Sequence, residues 1–188
     1  MKKLLFACAL TATVSASAAM KVGVVDMMVL MKNHPSYESN KALLTSTEKD
    51  YQKKLDAMKE DLEKVQEEGK KLTEQVRNPM LAATAKQKIE KDLVEIQNKF
   101  LAGQQRMRNE AMRSQQDLQD LEGRLLKTTG DDLRKRIAKH AQEKGYDFVM
   151  DAAAALYSKP AYDITPDILR SMGIDPETVK AKPADEGK

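Results

Sequence analysis

The chain of 188 residues is 32% charged and only 4% aromatic, with no tryptophan, which excludes a large compact core and suits extended helix rich in Lys, Glu, Gln and Leu. Its formal charge of +3 includes Lys2 and Lys3; without them 30 basic residues face 29 acidic ones, so bulk charge makes no case for nucleic acid. The single cysteine, Cys8, lies in the first apolar run, so a chain processed beyond it has no disulfide, thiolate nucleophile or cysteine-bound metal.

Residues 1–19 have three parts: Lys2-Lys3, an apolar run from Leu4 to Val14, and the small residues Ser15 to Ala19. This is the form of a secretory signal peptide cleaved after Ala18 or Ala19. The run falls short of the roughly 20 residues that span a bilayer. Reading Leu5-Phe6-Ala7-Cys8 as a lipidation signal leaves almost no apolar core before the cysteine. No second apolar segment follows, so the expected product is soluble and exported, in a bacterium to the periplasm.

Met20 to Asp26 (MKVGVVD) is short, apolar and β-branched, and predicts a strand buried on both faces. Met27 to His34 can form two helical turns before Pro35, after which Ser36 or Ser39 can cap a long helix. In that helix Tyr51, Leu55, Met58, Leu62, Val65, Gly69, Leu72 and Val76 recur at alternating spacings of 4 and 3. Such a 3.5-residue period keeps one narrow apolar seam facing a partner helix.

Asn78-Pro79 stops the helix, and Leu81, Ala85, Ile89, Leu93, Ile96, Phe100, Gly103 and Met107 then repeat the pattern. The two arms predict an antiparallel coiled-coil hairpin over 39–118. With a sharp turn at 78–79, Ser39 lies opposite Leu118, and Leu121 to Lys144 has no partner in the ascending arm. The spacing from Gly103 to Met107 to Ala111 is 4 then 4, a stutter that relaxes the supercoil. Small seam residues at Gly69, Ala85, Gly103, Ala111 and Ser114 either admit close helix approach or make the arm bendable.

Gly145 is a suitable helix terminator. Tyr146 to Asp151 predicts a second strand and Ala155 to Ser158 a third, followed by Thr165 as cap and Pro166 at the first position of a short helix. Residues 173–188 are Pro- and charge-rich and read as a flexible tail. So little strand material cannot form a self-sufficient sheet, which predicts that several chains pool it. The fold class is mainly α with a small β body (α+β): a projecting hairpin, and an oligomerisation body of residues 20–38 and 119–172 built on Val22, Val24, Val25, Phe148, Met150, Leu156 and Tyr157.

No catalytic constellation is legible. His34 and His140 lack ligand spacing, no phosphate loop is present, and adjacent carboxylates such as Asp131-Asp132 read as solvated charge. No enzyme activity, cofactor or metal is therefore expected. The tip between Lys70 and Lys91 holds Lys70, Lys71, Arg77, Lys86, Lys88 and Lys91 against Glu74 and Glu90, a local +4. Such a patch is either a solvated helix surface or a contact for something anionic, a membrane surface or lipid head group included. Met58, Met80, Leu81, Phe100, Met107 and Met112 are candidates for holding variable apolar partners, since methionine adapts its shape, although core filling is its commoner role.

The closing block YDFVMDAAAALYSKPAYDITPDILRSM, with Asp147, Val149, Asp151, Ala152, Tyr157, Asp163, Ile164, Thr165, Ile168 and Leu169 in place, resembles the Skp/OmpH periplasmic chaperones. So do the leader, the KVGVVDM strand and the charged hairpin, and the resemblance covers essentially all of the chain after the leader. It implies a jellyfish-shaped homotrimer with a β-rich body and three helical tentacles around a cavity. It also implies an ATP-independent holdase that keeps unfolded outer-membrane proteins from aggregating. The near-neutral charge and the tail after Met172 depart from the family pattern. A coiled-coil spacer or adaptor of the cell envelope is the alternative.

Overall fold

The computed structural model describes residues 20–180; the expected leader (1–19) and the last part of the expected tail (181–188) lie outside the described residues. In chain order the elements are β1 (Val22–Val25), α1 (Met27–Lys32), α2 (Tyr37–Val76), α3 (Ala83–Lys144), β2 (Phe148–Asp151), α4 (Thr165–Ser171) and α5 (Pro176–Lys180), with 3-10 turns at Ala152–Ala154 and Pro160–Tyr162. The fold is α+β, dominated by a coiled-coil hairpin with a two-stranded sheet. The chain divides into two compact units, one of Leu30–Arg134 and the other of the remaining residues.

In the first unit, α2 runs for 40 residues, about 60 Å at the helical rise of 1.5 Å per residue. Its seam from Tyr51 to Val76 is half-buried at every expected position, while nearly all other residues of that stretch are exposed. The seam is half-buried because two helices cover only one stripe of each other. Polar surroundings and an apolar stripe thus place the hairpin as the sequence predicts.

The register differs from the expected one. Asn40 Nδ2 donates to Thr129 Oγ1 at 3.3 Å and Tyr51 O–H to Asp117 at 3.2 Å, so α3 is displaced by roughly three turns from the expected pairing of Ser39 with Leu118. The reason is the tip. The helix does stop at Val76, but Gly69 faces Ile96, and seven residues further on this puts Val76 level with Ile89. The link and the first turns of α3 therefore precede its paired stretch. As a result α3 keeps partners as far as Thr129 and Asp132, well past Leu118.

The stutter also moves. Ala111 is exposed, and the seam runs instead through Glu110, whose side chain is 19% exposed, and Ser114, which is 4% exposed. Glu110 is tolerated there because Lys54 Nζ donates to its Oε1 at 2.6 Å. The 4-then-4 step falls one layer later, at Glu110, Ser114 and Leu118. Side-chain pairing across the hairpin decided this, since a spacing rule counts only apolar residues.

In the second unit, β1 and β2 pair in parallel, Val22 with Phe148 through Val25 with Asp151. Val24 and Val25 are buried with Ile164, Ile168 and Leu169. Gly23 is needed for close packing, because a Cβ there would lie 3.0 Å from Ile164 Cδ1. The expected third strand at Ala155–Ser158 does not form. Asp151 caps the turn that precedes it by accepting from Ala153 N–H at 3.1 Å, and the chain reaches β1 later, where Ile164 N–H donates to the Val24 carbonyl at 2.9 Å.

Thr165 does not cap α4 as expected. It stands in the first turn, where its Oγ1 accepts from the Asp26 backbone N–H at 2.9 Å, and so ties α4 to the end of β1. Gly145 ends α3 in the left-handed region, at φ 68°, where Tyr146 N–H reaches back to the Ala141 carbonyl at 2.9 Å. Gly173 repeats this after α4, and the stretch beyond it, expected to be flexible, carries the helix α5. Asp175 nucleates α5 by accepting from Glu177 N–H at 3.0 Å, with Pro176 at the first position.

Candidate functional site

The candidate sites are surfaces of the hairpin and of the second unit. The tip cations Lys70, Lys71, Arg77, Lys86, Lys88 and Lys91 are all exposed, and among the described residues none of them forms an ion pair. Some cations nearer the base are paired, Lys54 with Glu110, and Lys127 and Arg134 with Asp131. The Lys127 ammonium, with Arg134 adding to it, holds the Asp131 carboxyl below the usual carboxylate range. The tip field is therefore left unneutralised by its own chain.

The apolar candidates separate into two groups. Met58, Phe100 and Met107 sit half-buried in the seam and Leu81 half-buried in the tip link, whereas Met80 is 90% and Met112 63% exposed. The structure does not gather the six into one patch. In the second unit, Val24 and Val25 are taken up by the chain's own core, and Val22 and Met150 are half-buried. Phe148, Leu156 and Tyr157 instead stand exposed, Leu156 completely so.

Two features of the hairpin base are not legible as apolar spacing. His34 Nδ1 lies 2.8 Å from Ser36 Oγ and accepts from the Ser36 backbone N–H at 3.2 Å, so Nε2 carries the proton and donates to Asp132 at 3.0 Å. Ser36 Oγ also accepts from Asn40 Nδ2 at 3.3 Å. This chain of bonds locks the α1–α2 link to α3, and it explains why Ser36 does not cap α2 with its hydroxyl. Tyr51 belongs to the same polar base: partial burial first, and then the Asp117 carboxylate that accepts its hydrogen bond, raise its phenol above the usual range.

The second feature is a cleft of about 340 Å³ beside this lock, walled by Met31, Tyr37, Leu44, Leu125 and Leu126. It is the gap between the helices that makes a concave surface of Leu44, Leu125 and Leu126. Among the described residues no three His, Cys, Asp or Glu side chains converge as metal ligands, and no helix is long and apolar enough to cross a membrane.

Comparison with known proteins assigns the combination of hairpin and small sheet. Residues 21–172 match the family described as outer membrane protein (OmpH-like). The chain belongs to the OmpH-like family. Curated relatives include the chaperone protein Skp of Pectobacterium atrosepticum, 29% identical over 163 residues, covering 87% of this chain and 92% of the relative. The chaperone protein Skp of Yersinia enterocolitica is 27% identical over 179 residues, covering 92% and 99%. The family match ends at Met172, just before the Gly173 that terminates α4, so α5 lies beyond it.

Proposed function

We propose that this OmpH-like protein is an ATP-independent periplasmic holdase that binds unfolded outer-membrane proteins and keeps them from aggregating on the way to the outer membrane. The observation that carries this reading is the end-to-end relationship to proteins named chaperone, together with a chain that exposes apolar and cationic surface. Residues 1–19 direct export and are removed. The body residues Phe148, Leu156 and Tyr157, exposed in one copy, are covered in a homotrimer.

The hairpins then act as arms. Each arm offers many weak contacts, among them Met80 and Met112 and the cationic tip. Weak contacts in number hold an unfolded chain without fixing its conformation. No nucleotide is needed for release, because folding into the membrane is the more favourable state for the client. The unpaired tip cations add attraction for anionic client segments or a membrane surface, which weakens with salt.

The test is to dilute a urea-denatured outer-membrane protein into buffer with and without the purified protein and follow light scattering. Suppression at a molar excess of trimer is expected. Unchanged scattering would sink the holdase reading, and saturable binding to one folded envelope protein with indifference to unfolded chains would mark the protein as a spacer instead. A native mass equal to one chain would remove the trimer.

A further inference from the structure

We propose that the cleft at the hairpin base binds an unfolded peptide segment in which a leucine or aromatic side chain stands next to an arginine or lysine. The proposal rests on the chaperone reading and gives that activity a defined subsite with a sequence preference. The cleft lies wholly within the Leu30–Arg134 unit. Its walls, Met31, Tyr37, Leu44, Leu125 and Leu126, are apolar, and Leu126 leaves 53% of its surface uncovered. At about 340 Å³ it is at the small end of ligand pockets, suited to a few side chains of a flexible segment rather than to a folded surface.

Charge decides the class of segment. Glu48 and Glu122 stand at the cleft with Lys41 as the only cation lining it, and neither glutamate has a hydrogen-bonded or ionic partner among the described residues. At the same end of the hairpin Glu110, Asp117, Asp131 and Asp132 are engaged, so these two glutamates, like Glu38 and Asp120, keep their full acceptor capacity. Asn40, also lining the cleft, turns its Nδ2 to Ser36 and Thr129, so its carbonyl oxygen is the end left over. An apolar floor with an excess of acceptors fits an apolar side chain flanked by a donor cation. It disfavours the same segment flanked by carboxylates, whose charge would meet two glutamates against a single lysine. The preference is opposite in sign to that of the tip.

Binding of two fluorescein-labelled Gly/Ser peptides, one centred on Leu-Arg-Phe-Arg and its twin on Leu-Glu-Phe-Glu, is measured by anisotropy with the purified protein. The basic peptide is expected to bind more tightly. Each of Glu48→Lys and Glu122→Lys weakens it about threefold and both together about tenfold, while the acidic twin gains. Leu126→Ser weakens both peptides, whereas Leu101→Ser, at an equally exposed leucine outside the cleft, changes neither. Far-ultraviolet circular dichroism shows that the variants remain helical.

Equal affinity for the two peptides, or indifference to the double reversal, overturns the proposal. So does a change in native mass with peptide affinity unaltered, which gives the cleft to a second copy of the chain. A protein that suppresses aggregation yet binds neither peptide keeps the chaperone reading and loses the cleft. Peptide binding of the expected preference without aggregation suppression supports the cleft and removes the chaperone reading.

Discussion

Three glycines of the hairpin separate packing from flexibility. All lie in helix, where replacing glycine by alanine gains about 1 kcal/mol of propensity. At Gly123 an added Cβ meets nothing within 4 Å, so Gly123→Ala realises the full gain. At Gly69 it would lie 3.1 Å from Ile96 Cγ2, which must move by a few tenths of an ångström and removes part of that gain. At Gly103 it would lie 2.6 Å from Leu62 Cδ2, so Leu62 must leave its position in the seam. Forcing a side chain off its rotamer costs about 0.5 to 1.5 kcal/mol, and overpacking about 1 to 3 kcal/mol, which cancels or outweighs the gain.

The expected order of stability change is therefore Gly123→Ala above Gly69→Ala above Gly103→Ala, the last near zero or destabilising. Urea unfolding at one fixed protomer concentration measures it, so that any linked assembly weighs equally on every variant. Leu62→Val in the Gly103→Ala background opens space at the contact and should restore part of the loss. Equal gains at all three positions would refute the close-approach account and leave bending as the reason for the seam glycines.

Ser114 is buried and its Oγ has no hydrogen-bond partner. Ser114→Ala should stabilise by about 1 to 3 kcal/mol beyond the propensity gain of an exposed control, Thr128→Ala, in the same unfolding assay. Thr165→Ala should destabilise by about 1 to 3 kcal/mol, because it strands the Asp26 N–H at a site where Thr165 is buried; thermal melting reads the loss. Asp131 titrates below the ordinary aspartate value of about 3.9, so its ion-pair contribution is present above that value and is lost as the pH falls through the lowered one. Carboxyl NMR should show this, with Lys127→Met moving the titration back up more than Arg134→Met does. A titration unmoved by Lys127→Met would contradict the pairing seen here.

Much of the architecture was determined by the sequence alone. A 3.5-residue apolar period in Tyr51 to Val76, interrupted by Asn78-Pro79, permits little other than two helices in contact, because helical geometry alone converts that spacing into one face. Gly145 and the valines of β1 were legible for the same reason: local backbone preference and local burial agree. The family pattern of the closing block was legible too, and the match over residues 21–172 agrees with it.

What only the tertiary structure decided depends on atoms far apart in the chain. The register follows from how the tip link and the first turns of α3 divide the distance between the arms, which no periodicity records. Glu110 can occupy a seam position only because Lys54 reaches it, and Thr165 serves β1 rather than its own helix only because Asp26 is presented to it. A stretch that reads as strand at Ala155–Ser158 loses its place to Asp163 and Ile164, since β1 offers that edge to the segment whose buried side chains fit. The base cleft has the same origin. Leu44, Leu125 and Leu126 line a cleft beside the polar lock of His34, Ser36 and Asp132, and shape of that kind arises from packing between segments rather than from the order of residues in either one.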